Sequence, residues 1–178
     1  MRIRKFVCAA VAALCVGAVG ASAEIHDAIG LRLAGGSLLG GELNYQKGMG
    51  SDNRLEIGAS GSIKSNETAG VKYNTTYLGA VGIYQWHWGI PGVNGLNWYA
   101  GIGAGAGFGS WSYEPVGGGG KLSDSWVYLD VGGQIGIEYD FNVSNVPLLL
   151  SLDVRPMFGV LHDDGFGWGA GLGIRYTF

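Results

Sequence analysis

The chain has 178 residues, 47% of them hydrophobic and only 14% charged, with 35 glycines and a formal net charge of −3. An acidic chain without a basic cluster argues against a nucleic-acid partner. Both cysteines, Cys8 and Cys15, lie before Ala23, so the rest of the chain can form neither a disulfide nor a thiolate zinc site.

Met1 to Ala23 reads as a secretory signal peptide. Arg2, Arg4 and Lys5 form the charged end, Phe6 to Val19 the apolar run, and Ala21-Ser22-Ala23 the small-residue cleavage site. The run is shorter than the ~20 apolar residues that a membrane-spanning helix needs, and no later stretch is long enough either. Losing three of the 11 basic residues leaves eight against 14 acidic ones, a net charge of −6 for the remainder. That remainder, 24–178, has no linker-like break and is expected to form one domain. Its glycines follow neither a collagen period nor the composition of a linker.

Eight strands are expected in chain order. His26 to Ala34 sets Ile29, Leu31 and Leu33 against Gly30 and Arg32. Leu38 to Lys47 sets Leu39, Leu43 and Tyr45 against Glu42, Asn44 and Gln46. Arg54 to Lys64 follows a polar turn, and Ser65 to Asn74 reads as a loop. Thr75 to His87 carries apolar residues on both faces, so its sidedness is ambiguous. Trp88 to Gly95, with Pro91 and three glycines, reads as a turn. Leu96 to Ser110 alternates Leu96, Trp98, Ala100, Ile102, Ala104, Ala106 and Phe108 with residues that are mostly glycine. Trp111 to Ser125 is the longest expected loop. Trp126 to Asp140 and the strand from Pro147 continue the pattern. The last strand is the strictest: Phe166, Trp168, Ala170, Leu172, Ile174, Tyr176 and Phe178 alternate with Gly167, Gly169, Gly171, Gly173, Arg175 and Thr177.

Alternation with period two marks a strand whose faces meet different surroundings. A soluble sheet turns its apolar face inward and coats the other with polar groups. Here the alternative face is too rich in glycine to coat an exterior, so the apolar face is assigned to lipid. Aromatics near the strand ends match the girdles of outer-membrane barrels. The expected fold is all-β, an eight-stranded antiparallel up-and-down transmembrane β-barrel. It must close, because an unpaired strand edge in hydrocarbon leaves backbone groups without partners.

Eight strands leave an interior just wide enough to be filled by side chains. The expected inner polar network is Arg32, Glu42, Glu56, Asp130, Gln134, Glu138, Asp153, Arg155 and Arg175, with Trp126, Tyr128 and Met157 leaning over the glycine rows. If Leu161 pairs with Gly167, Asp153 faces Arg175, and Glu138 or Gln134 falls near Arg155. A slip of two residues would set Arg155 against Arg175, and facing like charges are destabilising. The plugged interior competes with a narrow porin-like channel opened by the glycines.

Catalytic motifs are sparse. Gly101 to Gly109 lies within one strand and lacks the strand-to-helix transition of a dinucleotide loop. His162-Asp163-Asp164 reads as turn chemistry, and His87, between Trp86 and Trp88, as part of an interfacial anchor. A lipid-modifying enzyme would need His162 beside Ser110, Ser112 or Ser125, none of which sits in a recognisable motif. No catalytic residue, cofactor or metal ligand is assigned.

Three segments carry a resemblance. Gly95-Leu96-Asn97-Trp98-Tyr99-Ala100-Gly101-Ile102-Gly103, Pro147 to Pro156 and Ile174-Arg175-Tyr176-Thr177-Phe178 resemble strands of small outer-membrane β-barrel proteins common in Bacteroidetes, of the OmpA/OmpX-like kind. The resemblance implies an outer-membrane address in a Gram-negative bacterium. It also implies insertion by the barrel-assembly machinery, with Tyr176 and Phe178 as the assembly signal. The expected role is structural or interactive: the partners are outer-membrane lipid and an extracellular molecule meeting the Trp111 to Ser125 loop.

Overall fold

The computed structural model describes residues 25–36, 40–50, 52–68, 71–115, 122–161 and 165–178. The signal-peptide assignment and His162 fall outside them. Eight strands follow in chain order: β1 (Ala28–Gly36), β2 (Gly40–Gly48), β3 (Asn53–Thr68), β4 (Val71–Gly89), β5 (Leu96–Pro115), β6 (Leu122–Asp140), β7 (Leu148–Leu161) and β8 (Phe166–Thr177). Each is antiparallel to its chain neighbour, and β1 pairs with β8 from Ala28↔Thr177 to Gly36↔Gly169, closing an eight-stranded barrel.

The alternation seen in the sequence separates two walls. Leu31, Leu43, Ile57, Ile102, Val131, Leu152 and Leu172 point outward and are exposed, while Arg32, Glu42, Glu56, Gln134, Ser151 and Arg175 point inward and are buried. At the termini end the outer wall carries stacked Trp88 and Trp98, with Tyr84 against Trp86 and Tyr45 against Phe178. At the loop end Phe158 packs on Phe166. Apolar side chains form the belt and aromatics bound it at both ends, the profile of a barrel wall that faces lipid.

β4 resolves the ambiguous strand. Val81, Ile83, Gln85 and His87 are buried inside, and Leu78 and Trp86 face out. His87 is therefore an interior residue, not part of an interfacial anchor. Its neighbours Trp86 and Trp88 alone serve that role, since alternate residues of a strand take opposite faces.

Both long loops are also corrected. Ser65–Asn74 belongs to the β3–β4 ladder, where Ser65 pairs with Asn74 and Thr68 with Val71. In the expected contact loop, Trp111 pairs with Asp124 and Tyr113 with Leu122, so strand continues on both sides of 116–121. β4 likewise runs through Trp88 to Gly89, which shortens the expected turn at that end. Outside a lipid-facing band the apolar alternation is not required, and the sequence of these outer pieces carries little of it.

Strand lengths are uneven. β1 and β2 have 9 residues each, whereas β3, β4, β5 and β6 have 16, 19, 20 and 19. A tilted strand crosses hydrocarbon in about 9–11 residues, so β3–β6 extend past the barrel at the loop end. Among the described residues, the β2–β3 ladder stops at Gly61 and the β6–β7 ladder at Leu129. Among the described residues the extension is thus a four-stranded sheet with β3 and β6 as its outer strands.

The termini end is tied by side chains. Asp27 accepts from Lys47 Nζ and the Gly48 amide, which together hold its carboxyl below the usual range. Its carbonyl accepts from the Phe178 amide at 2.9 Å, fastening the end of the chain to its beginning. Asp140 caps a single 3-10 turn (Phe141–Ser144): its Oδ1 accepts from the Asn142 amide at 2.9 Å, and Asn142 Nδ2 donates to Thr177 Oγ1 at 2.8 Å. Asp140→Ala is expected to lower unfolding free energy by about 1 kcal/mol, the usual worth of a lost cap. Urea titration of the refolded barrel would measure it.

Candidate functional site

The interior divides into a packed polar lattice toward the termini end and an open vestibule toward the loop end. Four arginines and four carboxylates make the lattice: Arg32, Arg54, Arg155 and Arg175 with Glu42, Glu56, Glu138 and Asp153, all buried. Arg32 donates to Asp153 with Nη2–Oδ1 at 2.6 Å and Nε–Oδ2 at 3.0 Å. Arg155 donates to Glu42 Oε2 and to Glu56 Oε1, both at 2.7 Å. Arg175 donates to Glu56 Oε2 at 3.1 Å, Asn44 Oδ1 at 3.0 Å and Ser151 Oγ at 2.6 Å. Arg54 donates to Glu138 Oε2 at 2.8 Å and Gln46 Oε1 at 3.0 Å. The formal charges of these eight groups cancel, and bidentate, charge-assisted bonds of this kind are the strong ones.

The expected partners are rearranged. Gly167 faces Met157 in the β7–β8 ladder, four residues back from the expected Leu161, and Asp153 faces Gly171. The end of β7 pairs with β6 instead, with Gly159 opposite Asp130. Asp153 therefore holds Arg32 rather than Arg175. Glu138 holds Arg54 and lies 3.3 Å from His87 Nδ1, while Gln134 accepts from Gln85 at 2.8 Å; neither serves Arg155. The reason is reach. Arg32 on β1 lies over Gly171 of β8, where any Cβ would overlap the guanidinium, and so arrives at Asp153 on β7. Gly171 leaves room for this neighbouring arginine, and Gly173 leaves room for the Ser151 hydroxyl and the Arg175 guanidinium. Steric permission, not open bore, explains them.

Met157 lies instead over Gly132 of β6, and with Val81 and Ile83 it forms a small apolar layer above the lattice. Trp126 and Tyr128 do lean over β5, covering Gly109 and Gly107. Sequence reasoning left Arg54, Asn44, Gln46, Gln85, His87, Tyr99 and Ser151 out of the network. The signal was available for Asn44, Gln46 and Arg54, which share an inward face with Glu42 and Glu56. His87 stacks on Tyr99 with ring centroids 5.1 Å apart, a contact between adjacent strands that needs the register.

Above the lattice is a cavity of about 280 Å3 that reaches Gly40, Leu161 and Gly165 at the loop end. Arg32, Glu42, Arg155 and Met157 line its floor; Tyr77, Trp126, Tyr128 and Asp130 line its wall. Tyr77 meets Trp126 and Tyr128 edge to face, with centroids 5.9 and 6.3 Å apart. Asp130 stands apart from the lattice, and its Oδ1 is buried without a hydrogen-bond partner among the described residues. No group of three or more potential metal ligands gathers among those residues.

A closed antiparallel barrel of eight strands, apolar outside and polar inside, invites comparison with solved structures. Ail, the attachment invasion locus protein of Yersinia pestis, superposes with a TM-score of 0.56 over 86% of this chain and 97% of its own, at 15% identity. Neisserial surface protein A superposes at 0.52 over 85% and 94%, also at 15% identity. The fold is that of the small outer-membrane barrels. Ail has also been solved in complex with the heparin analogue sucrose octasulfate, and that structure superposes at 0.55. No protein-family model and no curated protein matches the chain. The Yersinia and Neisseria structures lend no support to a Bacteroidetes lineage.

Proposed function

We propose that the chain is an integral outer-membrane protein that acts by presenting a surface, its barrel stoppered by side chains. The observation that carries this reading is the charge-balanced lattice, in which every one of four arginines donates to a carboxylate across the bore. A conducting pore needs water along its axis, whereas the charged ends of these groups pair with one another, leaving Arg54 Nε and Arg155 Nε without a partner among the described residues. The outward belt supports residence in lipid, and the leader-like Met1–Ala23 supports export. Tyr176 and Phe178, outward and exposed at the carboxy end, suit a signal for the assembly machinery. The two termini then lie in the periplasm, and the β3–β6 extension lies outside the cell. That extension, rather than a loop alone, is the contact surface. A net charge of −6 once the leader is removed makes a sulfated glycan a poor partner.

The test is electrical. The mature chain, refolded and shown by heat-modifiable gel mobility to be a barrel, is expected to give no stable conductance step in planar bilayers. A reproducible ion-selective step would instead establish the channel.

A further inference from the structure

We propose that the vestibule at the loop end binds a small organic ammonium ion, held between the Tyr77–Trp126–Tyr128 rings and the Asp130 carboxylate. The cavity, about 280 Å3, suits a head group rather than a larger ligand. Its wall is built from two strands: Trp126, Tyr128 and Asp130 follow one another on the inner face of β6, and Tyr77 approaches from β4. Tyr77 stands at 81° to Trp126 and 68° to Tyr128, so the three ring planes do not lie parallel and in each pair the edge of one ring covers part of the other's face. Ring faces carry the negative side of the aromatic quadrupole and attract cations.

Asp130 decides the sign of the ligand. Its Oδ1 has no hydrogen-bond partner, and no ion pair involves it among the described residues. Both arginines on the cavity floor are ion-paired, Arg32 with Asp153 and Arg155 with Glu42 and Glu56, although Arg155 Nε has no hydrogen-bond partner among the described residues. With the eight-group lattice below neutral in formal charge, Asp130 adds a carboxylate to the vestibule beside the three rings, close to the Gly105 amide and to Arg155. An anion would be repelled by both features. A neutral sugar could donate to Asp130 but would gain nothing from the charge. An ammonium group meets both, donating or apposing its charge to the carboxylate while its methyl or methylene groups lie on the rings. The inference shares the charge-balanced lattice with the closed-bore reading, but conductance reads the bore and ligand titration reads the vestibule, so the two can fail separately.

The test uses the full mature chain refolded in a maltoside detergent, which carries no ammonium group. Choline, phosphocholine and lysine amide are titrated against 3,3-dimethyl-1-butanol, the uncharged isostere of choline, and binding is read by calorimetry. Saturable binding of choline is expected, with the isostere weaker by at least about tenfold. Asp130→Asn is expected to weaken choline by a similar factor while leaving heat-modifiable mobility intact, and Tyr77→Leu to weaken it without altering the charge. Tightest binding by choline points to a free amine, by phosphocholine to a lipid head group, and by lysine amide to a protein side chain. Equal binding of choline and its isostere, indifference to Asp130→Asn, or no saturable heat with any of the three cations would overturn the proposal; in the last case water alone satisfies Asp130.

Discussion

Replacing Glu56 with alanine is expected to lower the unfolding free energy by about 3–5 kcal/mol, the cost of removing one partner from a buried ion pair. Glu56 is fully buried and bonded by Arg155, Arg175 and Gln46. Its loss strips one guanidinium contact from each of two arginines that water cannot easily reach. Arg155 retains Glu42, and Arg175 retains only the neutral groups Asn44 and Ser151. The lattice then carries an excess positive charge in a space too narrow to hydrate it fully. Glu56→Gln keeps the shape and one acceptor, so it should cost less than alanine but still lose the charge balance. Denaturant titration in lipid vesicles, followed by tryptophan fluorescence, measures both. A loss below about 1 kcal/mol for the alanine variant would place Glu56 with exposed ion pairs. The bore would then be wet, and the closed-bore reading would fail alongside the prediction.

The same residue shows what the sequence could and could not disclose. That Glu56 faces inward followed from Leu55 and Ile57 on either side, because a lipid-facing wall imposes strict alternation. Its partners did not follow. They sit on β2, β7 and β8, brought together by barrel closure and by arginines long enough to bridge two strands. Glycine was visible at 171 and 173, but its meaning depends on which neighbour lies over it, and that depends on register. Register in turn was misjudged by assuming that β7 and β8 end level, when β7 runs on to pair with β6. The β3–β6 extension was misread for a different cause. Beyond the lipid the two-residue period is no longer required, and polar residues such as Ser65 and Asn74 look like loop. His87 reads as an interfacial anchor from the sequence because the tryptophans on both sides mask its opposite facing.

Leu172→Arg is expected to destabilise the barrel by roughly 2–4 kcal/mol, the penalty for arginine at the midplane of a transmembrane barrel wall. Leu172 lies midway along β8, is 66% exposed, and is flanked in register by outward Leu33 on β1 and Leu152 on β7. The sign of the effect separates two worlds. If water bathed this wall, exchanging an exposed leucine for arginine would leave stability within about ±0.5 kcal/mol and would raise solubility. In hydrocarbon the guanidinium must snorkel or drag water inward. Depth supplies the internal control, because Tyr176→Arg, nearer the termini end, should cost about 0–1 kcal/mol by the same physics. Denaturant unfolding from vesicles is the measurement for both. A steep cost at 172 falling toward 176 maps the membrane onto the strand; equal small costs would mean that the apolar belt covers something other than lipid.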